Sequence, residues 1–338
     1  MEPALTSVTH LEDHLSHPSD ADCAFMRRLP GDILLLGAGG KMGPSLARRT
    51  CRAADQAGTP RRIVAASRFA SGPPAELAEF GIQAVACDLL DRDSIARLPD
   101  CANVLFLAGR KFGSSDNMPL TWATNTLLPA FIAERFRGSR IVALSSGNVY
   151  PLAVCGATET TAPAPVGEYA QSVLGRERLF EYFSRRDSTP VSLIRLNYAV
   201  DLRYGVLLDI GRRVWQRQPV PLAMGSCNAI WQGDANSMVL RALELACVPP
   251  LVLNVTGPET LRVRRIAERF GELFHIEPQF EGRETDTALL NDSSLCCHLL
   301  GPPSVTAAEL IEWQAEWIRA GLPTLDKPTH FEVRDGAF

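Results

Sequence analysis

Residues Asp32-Ile33-Leu34-Leu35-Leu36-Gly37-Ala38-Gly39-Gly40-Lys41-Met42-Gly43-Pro44 carry an apolar strand straight into a glycine-rich turn and a helix start. Glycines at 37, 40 and 43 let the backbone turn tightly, approach a diphosphate with no Cβ in the way, and pack the helix close to the sheet. The anion would sit on the helix N-terminus, where free N–H groups and the helix dipole favour negative charge. The turn therefore predicts a dinucleotide site built from Gly37, Gly40, Lys41, Met42 and Gly43.

Outward from this turn, apolar strands alternate with amphipathic segments. The strands fall at 32–37, 62–67, 83–87, 103–108, 140–145, 191–196 and 251–255, and helical stretches at 43–55, 92–98, 119–136, 169–185 and 233–247. Such alternation predicts an α/β fold, a doubly wound parallel sheet of Rossmann type. Residues 1–30 read as an added helical extension broken at Pro18-Ser19-Asp20. Residues 31–200 form the dinucleotide-binding domain, to which 228–256 return. Segments 201–227 and 257–325 make a smaller, mainly helical substrate lobe over the carboxyl ends of the strands. In its last helix Leu310, Trp313, Trp317 and Ile318 form one apolar stripe destined for the core. The tail from Pro323 to Phe338, outside the lobe from 326 on, wraps the surface.

The chain has 338 residues and a net charge of −4, without the broad basic field a nucleic-acid partner would need. No apolar run is long enough to cross a bilayer, and the first residues lack a basic segment followed by an apolar one, so a soluble, unexported protein without membrane partners is expected. Nine cysteines without a C-x-x-C pair suit reduced thiols in a cytoplasmic setting. The adjacent Cys296-Cys297 read as partly buried small residues. His10, His14 and His17 share one helical face, but no cysteine or carboxylate cluster completes a metal site, and a solvated face is expected.

With these motifs in order, the chain resembles the extended short-chain dehydrogenase/reductase family, in particular its NAD(P)-dependent sugar epimerases and dehydratases, over about residues 31 to 325. Gly37, Gly40 and Gly43 match its G-x-x-G-x-x-G turn. Asp88-Leu89 match the pair that meets the adenine, and Ala108-Gly109 the small residues after the fourth strand. Lys111 resembles the lysine held near the cofactor, and Asn125 the asparagine of the following helix. Ser145-Ser146-Gly147-Asn148-Val149-Tyr150 resembles the S-S-x-x-V-Y run, which implies Ser146 as catalytic serine and Tyr169 as catalytic tyrosine, with Glu177 further along the same helix. The resemblance also implies hydride transfer to or from a carbohydrate-like small molecule, and a homodimer paired through helices 119–136 and 169–185.

Three departures qualify the resemblance. The family motif Y-x-x-x-K reads Tyr169-Ala170-Gln171-Ser172-Val173, so the lysine that acidifies the tyrosine and binds the nicotinamide ribose is a valine. Arg176 shares the helical face of Tyr169 and Lys111 could approach it, although a solvated surface position is expected for Arg176. The second strand ends in Ser67-Arg68 where a carboxylate usually binds the ribose hydroxyl; a hydroxyl and a guanidinium suit a 2′-phosphate, so NADP is favoured, with NAD as the alternative. The run Ser226 to Asp234 lacks the arginine common in nucleotide-diphosphate binders, which leans the substrate toward a smaller sugar, sugar acid or related hydroxy/carbonyl compound. Arg212, Arg213 and Arg217 read as a solvated helix face. Asn148 and Tyr198 are the candidate substrate contacts. Two functions remain open: an oxidoreductase or epimerase, and a non-catalytic NADP(H)-binding sensor.

Overall fold

The computed structural model describes residues 5–337 apart from 71, 112, 114 and 115. Seven parallel strands form one sheet: β1 (Ile33–Leu36), β2 (Ile63–Ser67), β3 (Gln83–Ala86), β4 (Asn103–Phe106), β5 (Arg140–Ser146), β6 (Val191–Leu196) and β7 (Leu251–Val255), in the spatial order β7-β6-β5-β4-β1-β2-β3. Each expected strand is present. Strands buried on both faces need apolar residues at every position, which is why β1 is an unbroken run of isoleucine and leucine.

Helices α1 (Val8–Ser16) and α2 (Asp20–Arg28) precede the sheet, and α3 (Gly43–Gln56), α4 (Ala75–Glu79) and α5 (Arg92–Ala96) connect its first strands. After β4 come α6 (Met118–Trp122) and α7 (Leu128–Arg135), then α8 (Gly167–Asp187) after β5. The rest are α9 (Val206–Trp215), α10 (Gln232–Arg241), α11 (Val263–Phe274), α12 (Ser294–Leu300) and α13 (Ala307–Arg319). Leu46 and Ala47 of α3 and Met238 and Val239 of α10 cover one sheet face, while Ile95 of α5, Ile132 of α7 and Phe180 of α8 cover the other. Both faces are thereby covered over the middle of the sheet, as a parallel sheet requires, while the edge strand β3 stays largely exposed.

The order reverses between β1 and β4, where connections leave in opposite directions and open a crevice at the strands' carboxyl ends. Gly37 sits there at φ 84°, and a β-carbon on it would lie 2.7 Å from the Ala108 backbone nitrogen. The first glycine is thus needed twice, for its dihedral angle and for contact between the two strand ends.

A second core lies beyond the crevice. It gathers Leu11 and Leu15 of α1, Ile210 of α9, Phe270 of α11, and Leu310, Trp313, Trp317 and Ile318 of α13. The stripe read from α13 is buried as expected. His14 corrects the expectation of a solvated histidine face: its ring packs edge-on between Trp231 and Trp313, with centroids 5.5 and 5.2 Å away. Among the described residues no histidine, cysteine and carboxylate group could hold a metal, the nine cysteines are free thiols, and no helix is long and apolar enough to cross a membrane.

The stretch expected as one helix over 119–136 is interrupted by a π-helical turn at Ala123–Leu127. Such turns widen the backbone at functional positions, and this one carries the fully buried Asn125.

Candidate active site

A cavity of about 720 Å³ opens at the crevice, between the glycine turn, the ends of β4 to β6 and the second core. Its floor is the turn itself. A β-carbon on Gly43 would come within 2.2 Å of the Ala38 carbonyl, so this glycine serves close packing of α3 on the sheet. Gly40 differs: a β-carbon there would meet only the Gly37 carbonyl, at 3.4 Å, and would otherwise point into open space. No side chain caps the start of α3. An uncapped helix N-terminus beneath an open glycine fits a dinucleotide diphosphate.

Lys41 contributes its backbone to the turn, but its side chain crosses the cavity. Its ammonium donates to the Ala199 carbonyl at 2.7 Å and lies 4.2 Å from the Tyr204 ring centroid. Burial lowers its pKa to about 8 against the pull of Asp201. Met42 is buried beneath the turn. Ser67, at the end of β2, approaches the same loop, its hydroxyl 2.8 Å from where a Gly39 β-carbon would be. Arg68 beside it is exposed and makes no hydrogen bond or ion pair among the described residues. Asp88 is exposed and accepts from the Leu90 N–H at 3.0 Å. Leu89, expected against the cofactor, turns its side chain into the sheet core.

On the opposite wall stand Ser146, Asn148 and Tyr169. Ser146 ends β5, and its hydroxyl donates to Asn148 Oδ1 at 2.9 Å while accepting from the Asn148 N–H at 3.2 Å. Tyr169, from the first turn of α8, brings its phenol near enough to the Ser146 hydroxyl to be stabilised by it. Burial pushes its phenol above the ordinary value; the Ser146 hydroxyl and the Arg176 charge pull it partly back. Lys111 lies 5.8 Å over the Tyr169 ring, and burial lowers its pKa to about 8. Tyr198, held at φ 39°, also lines the cavity, and burial raises its pKa strongly.

Val173 does not line the cavity. It is fully buried with Val149, Tyr150 and Ala157 in a small apolar cluster. Arg176 corrects the expected surface position: it is 4 % exposed, donates to the Leu144 carbonyl at 2.6 Å and to Asn125 Oδ1 at 2.7 Å, and lies 5.6 Å over the Phe106 ring. Burial lowers its pKa to about 10, leaving a full cation at neutral pH.

Asn125, expected as a cofactor contact, instead spends its amide on the protein. Oδ1 accepts from the Arg110 N–H at 2.9 Å as well as from Arg176, and Nδ2 donates to the Arg110 carbonyl at 3.0 Å and the Ser172 hydroxyl at 2.9 Å. It fixes the loop after β4, which carries Gly109 and Lys111 to the cavity. Glu177 lies behind Ser146, accepting from the Ser145 hydroxyl and from Arg195. The late Asp234 is not a site residue: its carboxylate accepts from the Ser304 hydroxyl and the Ser304 and Val305 N–H groups.

Sequence reasoning missed much of the outer wall. Glu12 of α1 lines the cavity and accepts from Arg203 at 2.5 Å. Leu325, Lys327 and Thr329 bring the tail across it. Asp209 accepts from both the Thr329 N–H, at 2.8 Å, and the Thr329 hydroxyl, while Phe331 is buried in the second core. Arg334 donates to the Ala223 and Thr287 carbonyls at 3.0 and 2.7 Å. The tail is thus a wall of the site as well as a surface wrap. Arg212 and Arg213 face away from the cavity, toward Asp326 and Glu281.

Residues 33–199 match the model of a family described as the NAD dependent epimerase/dehydratase family. No curated protein sequence matches the chain. Among solved structures, UDP-glucose 4-epimerase of Thermotoga maritima with UDP-glucose superposes with a TM-score of 0.71 at 18% identity, over 86% of this chain and 99% of that one. UDP-glucuronic acid 4-epimerase of Bacillus cereus, a mutant in complex with a fluorinated UDP-sugar and NAD, gives 0.71 at 17% identity, over 85% and 99%. The UDP-glucose 4-epimerase of Thermus thermophilus in complex with NAD gives 0.70 at 18%, over 85% and 99%. These likenesses establish a shared fold.

Proposed function

Since residues 33–199 match the model of the NAD dependent epimerase/dehydratase family, we propose that the chain is an NAD(P)(H)-dependent epimerase or oxidoreductase acting by hydride transfer on a small carbohydrate-like alcohol or carbonyl compound. The observation that carries this reading is the juxtaposition of Ser146 and Tyr169 on the cavity wall that faces the open glycine turn. The turn at Gly37, Gly40, Lys41, Met42 and Gly43 would hold the diphosphate, with Ser67 and Arg68 at the adenosine ribose and Gly109 and Lys111 along the nicotinamide half. A bound nicotinamide supplies the hydride acceptor or donor. Ser146 turns its one hydroxyl proton from Asn148 Oδ1 to the reacting substrate oxygen while the Asn148 N–H still holds its Oγ in place, and Tyr169 takes the proton at that oxygen as phenolate or returns it as phenol.

Arg68, exposed and without a hydrogen bond or ion pair among the described residues, supports a preference for NADP(H). The enclosure of the cavity by Glu12, Leu325, Lys327 and Thr329 supports a substrate smaller than a nucleotide sugar: about 720 Å³ must take both the reactive part of the cofactor and the substrate. Met118, Trp122, Leu127 and Tyr182 remain exposed on α6 to α8, which supports pairing of two copies through these helices.

Turnover of NAD(P)(H) across a panel of sugars and sugar acids, in the wild type and in Tyr169→Phe, tests the reading. Activity lost in the variant with cofactor affinity retained is the expected result. A second reading, a cofactor-binding sensor, is favoured by the apolar packing of Val173. It predicts tight cofactor binding and no turnover on any member of the panel.

A further inference from the structure

The lysine position of the tyrosine motif is filled by Val173 and sealed into an apolar cluster with Val149, Tyr150 and Ala157. A cation nevertheless lies beneath this part of the site. We propose that Arg176 is the positioning residue that supplies, from one turn further along α8, the positive charge that Val173 cannot. The role rests on the proton-transfer function proposed above for Tyr169.

Helix geometry permits the exchange. Position 176 is three residues beyond 173, an axial rise of about 4.5 Å. Side chains on a helix lean toward its N-terminus, so a long one covers the turn before its own Cα. An arginine at 176 can therefore reach back along the helix toward the level of position 173. It also shares the face of Tyr169, being seven residues, or two turns, away.

The surroundings hold the guanidinium there. Nη1 donates to the Leu144 carbonyl, on the strand that ends in Ser146, at 2.6 Å, and Nη2 to Asn125 Oδ1 at 2.7 Å. A β-carbon on Gly109 would lie 2.7 Å from Nη2, so the small residue after β4 is what leaves room for it. Phe106 closes the other side. The buried Nε–H finds no partner among the described residues. Such a cation is costly to enclose without a full set of acceptors; the Nε of Arg48 and Arg110 is unpartnered as well, whereas Nε, Nη1 and Nη2 of Arg195 all donate. The faces around Tyr169 present Lys111 from the β4 loop, Tyr204 from the loop before α9, and Ser146 from β5; Arg176 is the cation on its own helix.

The test follows the Tyr169 phenol by ultraviolet difference absorbance of its phenolate, assigned by subtracting Tyr169→Phe, with no cofactor or substrate present. Arg176→Met is expected to raise the midpoint by about one pH unit or more, Arg176→Lys to keep it near the wild-type value, and Arg176→Met combined with Val173→Lys to bring it back. An unchanged midpoint in Arg176→Met, or a raised one that neither lysine recovers, overturns the proposal. Should Arg176→Met fail to fold by thermal unfolding, Arg176→Gln, which keeps an N–H donor for the Leu144 carbonyl, decides: a midpoint higher by about one pH unit or more supports the proposal, and a smaller rise or none overturns it. Loss of the functional reading would appear separately, as absent NAD(P)(H) binding or as turnover that survives Tyr169→Phe.

Discussion

Glu177 and Arg195 face each other across two parallel hydrogen bonds, Nε to Oε1 at 2.9 Å and Nη2 to Oε2 at 2.7 Å, with side chains only 1 % and 4 % exposed. The pair ties α8 to β6 behind the strand that ends in Ser146, and Arg195 continues to the Tyr150 hydroxyl, which donates to Asn254. Burial works against the Arg195 charge, yet the bonds from Glu177 hold its pKa above the ordinary value. Removing one partner strands the other charge in the interior. Glu177→Ala is therefore expected to lower unfolding stability by about 3–5 kcal/mol, measured by chemical denaturation. A loss under about 1 kcal/mol would mean that water reaches Arg195.

The two inner glycines of the turn should fail in different ways. Gly40→Val adds a side chain toward open space and is expected to abolish dinucleotide binding in calorimetric titration while the melting temperature stays near wild type. Gly43→Val, whose β-carbon would fall 2.2 Å from the Ala38 carbonyl, is expected to destabilise the fold itself. Retained binding in a folded Gly40→Val would remove the diphosphate from this turn.

Arg68→Ala is expected to weaken NADP(H) by about tenfold, the loss of one charge-assisted contact, and to leave NAD(H) nearly unchanged. Isothermal titration of both cofactors reads the ratio directly. Equal effects on the two would move the 2′-phosphate elsewhere.

Lys41 and Lys111 each titrate at about 8, lowered by burial, so both lose part of their charge just above neutrality. A bound anion favours the ammonium form and raises these values. Cofactor affinity should therefore fall as pH rises from 8 to about 10, with proton uptake on binding across that window. Titrations in buffers of different ionisation enthalpy measure the uptake, and Lys41→Met should reduce it. In the free protein the sign is opposite in effect: from about 8 to the unfolded lysine value of 10.5 the unfolded chain binds more protons, so this contribution to stability increases with pH.

The sheet could be read from the sequence because each strand is a dense apolar run ended by small or polar residues, as Leu34-Leu35-Leu36-Gly37 shows. The π-helical turn at Ala123–Leu127 leaves no such mark. It carries Asn125, whose amide bonds Arg110, Ser172 and Arg176, and hydrophobic periodicity cannot count a buried polar residue. Arg176 was misplaced for the same reason: an arginine on a helix reads as solvent-facing until its acceptors, Leu144 and Asn125, are seen in space. Glu12 and Arg203 are separated by 191 positions, and neither stands in a local pattern that announces the other.

The closure at Thr329, Phe331 and Arg334 also bears on how the molecule is made. Gly336 packs against Gly167, whose β-carbon would lie 2.5 Å from the Gly336 carbonyl. Ribosomal synthesis runs from the N-terminus, so the sheet and its glycine turn can form while these last residues are still unmade. The chamber cannot. A chain that stops before Thr329 would keep the glycine turn and lose this wall of the cavity.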